Sequence, residues 1–321
     1  MELNRIYASV KEDLDRVEDS LKEVGRVSFE HLAELLNYSL ERSGKRIRPA
    51  LTFLCARLHR YDLGYLMPMA VSVELMHTAT LVHDDAVDKS AVRRGRATVN
   101  KIWGEDRAVL LGDYLFARAG DFCADTGNLR VIKLFSQTLA TISRGELKQA
   151  FDAFKLEQTY DNYLQRISSK TAALFSLATE SGAVLSQASE DSVEALREYG
   201  NNLGIAFQIV DDILDFIGTE EELGKPVGSD LTQGTLTLPA MLLLKHYPGD
   251  NPVEKLFQNI DVVANARRAI EMIGNSPIVQ ECYNEAATYS EQACRNLDRL
   301  PPGDDRQALV ELADYIIRRR V

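Results

Sequence analysis

Apolar residues recur at three- and four-residue spacing along nearly the whole chain, in the windows 28–42, 106–125, 128–153, 186–217, 253–273 and 278–298. That period gathers them on one face of an α-helix, so each window predicts an amphipathic helix. The opening MELNRIYASVKEDLDRVEDSL is amphipathic too and reads as a charged surface helix. Gly and Pro fall mainly between the windows, where helices should stop. The alternation of β-branched residues that marks strands is scarce. No low-complexity segment and no Pro/Gly/Ser-rich linker splits the chain. The expected fold is all-α: one domain over residues 1–321, a bundle of about ten or more helices around a deep central cavity.

Two stretches break the amphipathic rule. In VSVELMHTATLVHDDAVDKSAVRRGRATVN, residues 71–100, an apolar helical run ends in Asp84, Asp85 and Asp88. With about 3.6 residues per turn, Asp84 and Asp88 share a face. Like charges so placed repel by roughly 0.2–0.5 kcal/mol, and they sit at a helix C-terminus, where the macrodipole is already negative. Bound cations offset such costs, and hard oxygen donors point to Mg²⁺, with Mn²⁺ as the alternative. Arg93 and Arg94 follow about one turn later, a pairing suited to phosphate. The design recurs in NNLGIAFQIVDDILDFIG, residues 201–218, with Asp211, Asp212 and Asp215 and then Lys225. One acidic cluster is usually a solvated face; two, each embedded in apolar sequence and trailed by basic residues, are not. They lie about 125 residues apart and must meet across one core.

Charge sharpens this reading. Lys plus Arg number 37 and Asp plus Glu 48, a net charge of −11, which makes nucleic acid a poor partner. An acidic protein binds phosphorylated substrates only where basic groups gather locally and metals bridge the rest. No apolar run is long enough to span a bilayer, and no signal-type apolar region opens the sequence. The four cysteines show no CxxC spacing. Scattered thiols of this kind suit a reducing, cytoplasmic setting.

Other basic and polar positions fit the same chemistry. GKRIRPAL, residues 44–51, places Lys45, Arg46 and Arg48 ahead of Pro49 at a helix start, where anions are favoured; the alternative is a charged surface turn. Neither GKR nor Gly224-Lys225-Pro226 has the pattern of a phosphate-binding P-loop. His77 lies two turns before Asp84 on roughly the same face, either a core residue or part of the site. Lys170 and Thr171 read as the opening of another apolar helix, and Gln208 precedes Asp212 by one turn.

Together these stretches resemble the trans-isoprenyl diphosphate synthases, or polyprenyl synthetases, over nearly the whole chain. GKRIRPAL is similar to the family's basic motif. LVHDDAVDKSAVRRG and FQIVDDILDFIG are similar to its two aspartate-rich motifs, and GELKQ at 145–149, KTAALFS at 170–176 and GKPVGSDL at 224–231 to further segments. The resemblance implies a Mg²⁺-dependent, head-to-tail trans condensation of isopentenyl diphosphate with an allylic diphosphate. It implies metal bound by Asp84, Asp85, Asp88, Asp211, Asp212 and Asp215, principally Asp84, Asp88 and Asp211. It also implies that Arg93 and Lys170, with Thr171 and Gln208 nearby, grip the allylic diphosphate and Lys225 closes over it. Lys45, Arg48, His77 and Arg94 would hold isopentenyl diphosphate.

Ala79 and Thr80, small residues one turn above Asp84, leave the path of the growing chain open, which favours products of about C25 or more. In this family aromatic residues there give short products. One departure is Thr235 in QGTLTLP, where many relatives carry Lys. The basic tail Arg318 to Arg320 would either help close the extender site or stay solvated. A homodimer is the expected assembly. The alternatives are a shorter-chain synthase (geranylgeranyl or farnesyl diphosphate), a class I terpene cyclase, a non-catalytic partner subunit, and a helical metal-binding protein. The intact second DDxxD and the basic motif weigh against the cyclase, the full set of aspartates against the partner subunit, and the arginine pair against the metal-binding protein.

Overall fold

The computed structural model describes residues 2–41, 44–93, 95–219 and 226–319, so Arg94, Lys225 and Arg320 lie outside the described residues. The chain opens with α1 (Glu2–Ile6), α2 (Lys11–Val24), α3 (Glu30–Leu40), α4 (Ile47–Arg57) and α5 (Leu63–Val87). A small antiparallel hairpin follows, β1 (Val92–Arg93) and β2 (Arg96–Ala97), pairing Val92 with Ala97 and Arg93 with Arg96. Next come α6 (Val99–Trp103), α7 (Glu105–Asp125), α8 (Leu129–Asp152) and α9 (Tyr160–Ile167). α9 runs through a π-helical turn, Ser168–Ala172, into α10 (Ala173–Leu185), and α11 (Glu190–Ile217) follows. The rest is α12 (Ser229–Thr232), α13 (Leu238–His246), α14 (Pro252–Phe257), α15 (Val262–Gly274), α16 (Ile278–Leu297) and α17 (Asp304–Arg318).

α5 is apolar on every side because it is surrounded. It packs on α4, α7 and α10, and from Leu66 to Ala86 most of its residues are buried. Its start is fixed by Asp62, whose side chain accepts from the Gly64 amide at 3.0 Å, an N-cap. It ends at Asp88, beyond which Lys89 turns into the left-handed region at φ 50°. The Asp-rich end therefore stops abruptly at the rim of the core. The other acidic helix, α11, threads two hydrophobic clusters. Its first half lies in a cluster shared with α1 to α8, α10, α17 and the end of α16; its second half lies in a cluster shared with α9 and α12 to α16.

Two expectations change. The window 253–273 is two helices, since Asn259 and Asp261 both take positive φ and break the run. Lys170 and Thr171 do not open a helix. They lie inside the π turn that joins α9 to α10.

Candidate active site

Of the six motif aspartates, three keep an accessible carboxylate and three are turned inward. Asp84 retains 20% side-chain exposure, Asp211 43%, and Asp88 is partly exposed as the C-cap of α5. Asp85 is buried and accepts from Arg93 Nε at 2.6 Å. Asp212 is buried and accepts from Gln208 Nε2 and Tyr163 Oη, each at 2.8 Å. Asp215 is buried and accepts from Ser229 Oγ at 3.1 Å and the Asp230 amide at 3.2 Å, so it anchors the start of α12. Asp84, Asp88 and Asp211 are thus the motif aspartates whose carboxylates stay accessible. Asp85, Asp212 and Asp215 orient the residues around them.

Cations converge on this rim. Lys170, set by the π turn, lies 2.9 Å from Glu146 Oε1 and 3.8 Å from Asp84 Oδ2. Burial alone would lower its pKa, but Asp84 and Glu146 outweigh it and hold the ammonium charged well above its ordinary range. Arg93 on β1 is held by Asp85 and feels Asp84 and Asp88 as well. Burial raises the carboxyl of Asp88, opposed first by Lys170; Asp84 and, across the cleft, Asp230 push it further up. Lys170 beside Asp84, with the adjacent Thr171 bonded to Gln208 on α11, brings the acidic ends of α5 and α11 to one cleft. Burial, then Asp230, push Asp212 up to about 7. Thr171 donates to Gln208 Oε1 at 2.5 Å, so π turn and α11 are tied by the chain Thr171–Gln208–Asp212–Tyr163.

The basic motif divides by role. Arg46, with φ 49°, ties the buried Glu74 at 2.6 Å and the half-exposed Glu18, a triad that fixes the turn before α4. Arg48 is buried over the ring of Phe175, 4.7 Å from its centroid, and Lys45 lies 5.6 Å from the centroid of Tyr315. His77 is partly exposed on α5, above Asp84. The structure thus brings Asp84, Asp88, Arg93, Lys170, Thr171, Gln208 and Asp211 to one region. The expectations for Arg94 and Lys225 fall outside the described residues. Ala79 is wholly buried, whereas Thr80 is partly accessible and donates to His77 O at 2.7 Å.

Glu146 had no assigned role in the sequence, and Arg319 belonged to a basic tail expected either at the extender site or in solvent. Glu146, on α8, contacts Lys170; nothing in the spacing of residues 146 and 170 announces it. Arg319 stacks on Phe207, 3.7 Å from the ring centroid, donates to Phe207 O at 3.0 Å and pairs with Asp211. Its basic run signalled an anion partner, but not this one.

No three His, Cys, Asp or Glu side chains among the described residues form a ready-made metal cage. The accessible donors are oxygens only, on two helix ends. Such an open set fits a hard divalent cation that takes one or two carboxylates and completes its shell with water and phosphate oxygens. No helix among the described residues is long and apolar enough to cross a membrane.

The sequence profile of one protein family, described as polyprenyl synthetase, matches residues 29–273. Heptaprenyl diphosphate synthase component 2 of Geobacillus stearothermophilus is 38% identical over 319 residues, covering 99% of each chain. Among solved structures, a polyprenyl synthase from Caulobacter crescentus, complexed with calcium and isoprenyl diphosphate, superposes with a TM-score of 0.95 at 35% identity, covering 99% of this chain and 98% of that one. A heptaprenyl diphosphate synthase from Staphylococcus aureus gives 0.93 at 35% identity, covering 97% and 99%.

Proposed function

Since the chain belongs to the polyprenyl synthetase family, we propose that it condenses isopentenyl diphosphate with an allylic diphosphate, head to tail and trans, to products of C25 or longer. The observation that carries this reading is the gathering of Lys170 and Arg93 against the acidic end of α5, with the π turn of Lys170 tied to α11 through Thr171 and Gln208, in a chain of net charge −11. Such a site suits a polyanion that arrives with metal. Asp84, Asp88 and Asp211 are the residues to hold Mg²⁺. When bound, Mg²⁺ neutralises the diphosphate oxygens as negative charge develops on them. Lys170 and Arg93 act on the same charge from fixed positions, where preorganised cations count most. Thr171 and Gln208 keep the π turn in register with α11.

As the allylic C–O bond breaks, the isopentenyl π bond attacks the allylic carbon and a C–C bond forms. The proton released from the extender passes to the departing diphosphate. Lys45, Arg48 and His77, with Arg94, hold the extender, and Lys225 closes over the allylic site. Product length follows from the wall below Asp84: no aromatic side chain stands at Ala79 or Thr80, and the accessible Thr80 borders the path of the chain. The heptaprenyl names of the similar proteins point the same way.

The protein acts in the cytoplasm as a homodimer, with Val109 and Leu110 on α7 and Leu147 and Phe151 on α8 offering exposed apolar surface for the contact. One observation favours a second assembly: the Geobacillus relative is named as a component 2, so a non-identical chain is the alternative partner.

The test is product analysis of the purified chain with Mg²⁺, labelled isopentenyl diphosphate and farnesyl diphosphate. A ladder ending at one length of C25 or longer is expected, and EDTA should abolish it. Termination at C20 would make this a short-chain synthase, and undiminished turnover in EDTA would sink the metal-dependent reading. No incorporation by the chain alone, with shorter starters failing too, would point to the two-component assembly.

A further inference from the structure

We propose that Glu146 is a positioning residue for Lys170, fixing the ammonium at the point where the allylic diphosphate binds; this rests on the reading of Lys170 as a diphosphate ligand. Lysine carries a long stem with about 2 kcal/mol of rotamer entropy, and a lone lysine in a cleft would sample many positions. Here both oxygens of Glu146 receive it, at 2.9 and 3.1 Å, while Asp84 stands 3.8 Å away on the other side. Lys170 and Glu146 are each less than a third exposed, at 28% and 29%. That is shelter enough for the pair to hold its geometry, unlike most surface ion pairs.

The backbone around the pair is built for the contact. The π turn Ser168–Ala172 inserts an extra residue into the helical ladder, which shifts the phase at Lys170 relative to α9, a feature often found at functional sites. α8 approaches this turn closely at Gly145, where an added Cβ would lie 2.8 Å from Ser169 Cβ. Only glycine allows that approach without displacement, and the next residue is Glu146. Without Glu146 the ammonium would fall toward Asp84 and Asp88, and so onto carboxylates assigned to metal. The glutamate thus keeps cation and metal ligands apart as well as keeping the cation still.

The experiment compares Glu146→Ala, Glu146→Gln, Lys170→Ala and the Glu146→Ala/Lys170→Ala double variant by steady-state kinetics and thermal melting. Glu146→Ala should raise KM for farnesyl diphosphate about tenfold, the weight of one charge-assisted hydrogen bond. KM for isopentenyl diphosphate and the melting midpoint should stay unchanged. Glu146→Gln, which keeps one acceptor, should fall between it and the unaltered protein. In the Lys170→Ala background the loss of Glu146 should add nothing, because no ammonium remains to be held. An equal penalty with and without Lys170, or an unchanged KM for farnesyl diphosphate in Glu146→Ala, would overturn the proposal. If Lys170→Ala itself leaves that KM unmoved, the assignment of Lys170 fails, and the positioning role falls with it.

Discussion

Asp85 and Asp212 hold the same place in two DDxxD motifs, and both point inward. The reason is helical phase: each follows its neighbour by about 100°, which turns it from the cleft toward the packed side. Burial then demands a partner, and the partners differ. Asp85 has a guanidinium, whereas Asp212 has only the neutral donors Gln208 and Tyr163. Burial, reinforced by the charge of Asp230 and only partly offset by Gln208, Arg166 and Tyr163, is why Asp212 stands at about 7. The sign follows. The unfolded chain loses this proton near the ordinary carboxyl range and the folded chain only near pH 7. The stability from this group is therefore complete below about pH 4 and is lost as pH rises to 7, by up to a few kcal/mol. Asp212→Asn removes that dependence. Its melting midpoint relative to the unaltered protein should rise steadily from pH 4 to pH 8, and a constant offset over that range would contradict the raised pKa. The phase argument was open to sequence reasoning, but the identity of the partners was not, since Tyr163 lies 49 residues away.

Among the helices, α10 shows how local sequence sets an approach that periodicity cannot express. It presses on α4 at Gly182, where a Cβ would come within 2.4 Å of the Thr52 carbonyl oxygen. The obstacle is backbone and cannot swing aside. Gly182→Ala should therefore cost roughly 1–3 kcal/mol despite the better helix propensity of alanine. Chemical denaturation would show this as a lower midpoint at unchanged slope, and an unchanged midpoint would mean that the two helices separate freely. The same contact carries Arg48 on α4 to Phe175 on α10, so a shift there should reach the basic motif. The π turn is the other case. ISSKTAALFS reads as a helix start because Ser and Thr favour caps, yet Thr171 Oγ1 donates across to Gln208 instead of capping its own helix. Tertiary contact overrode the local preference, and Lys170 came with it.

Across the whole molecule, the C-terminal helix closes on the site it follows by a hundred residues. Arg319, the last described residue, lies on Phe207 and Asp211, tying α17 to the acidic end of α11. Arg319→Ala and Asp211→Asn should therefore not be additive in metal-free thermal or chemical unfolding. A coupling of roughly 1 kcal/mol is expected, modest because Asp211 remains partly solvated. Strict additivity would show the tail to be detached.

The sequence by itself determined the all-α architecture, the two acidic helix ends and the cations that belong near them. Each of these is written in a short-range period or a contiguous motif, and such patterns survive without knowledge of the fold. The tertiary structure decided that Asp215, in phase with Asp211, is instead taken up by the start of α12. It also decided that Arg46 serves the turn before α4, that Glu146 meets Lys170, and where the tail's arginine rests. Those outcomes depend on pairs separated by 14 to 112 residues. Their partners are chosen by which helices pack together, and the periodicity of any one helix carries no record of that choice.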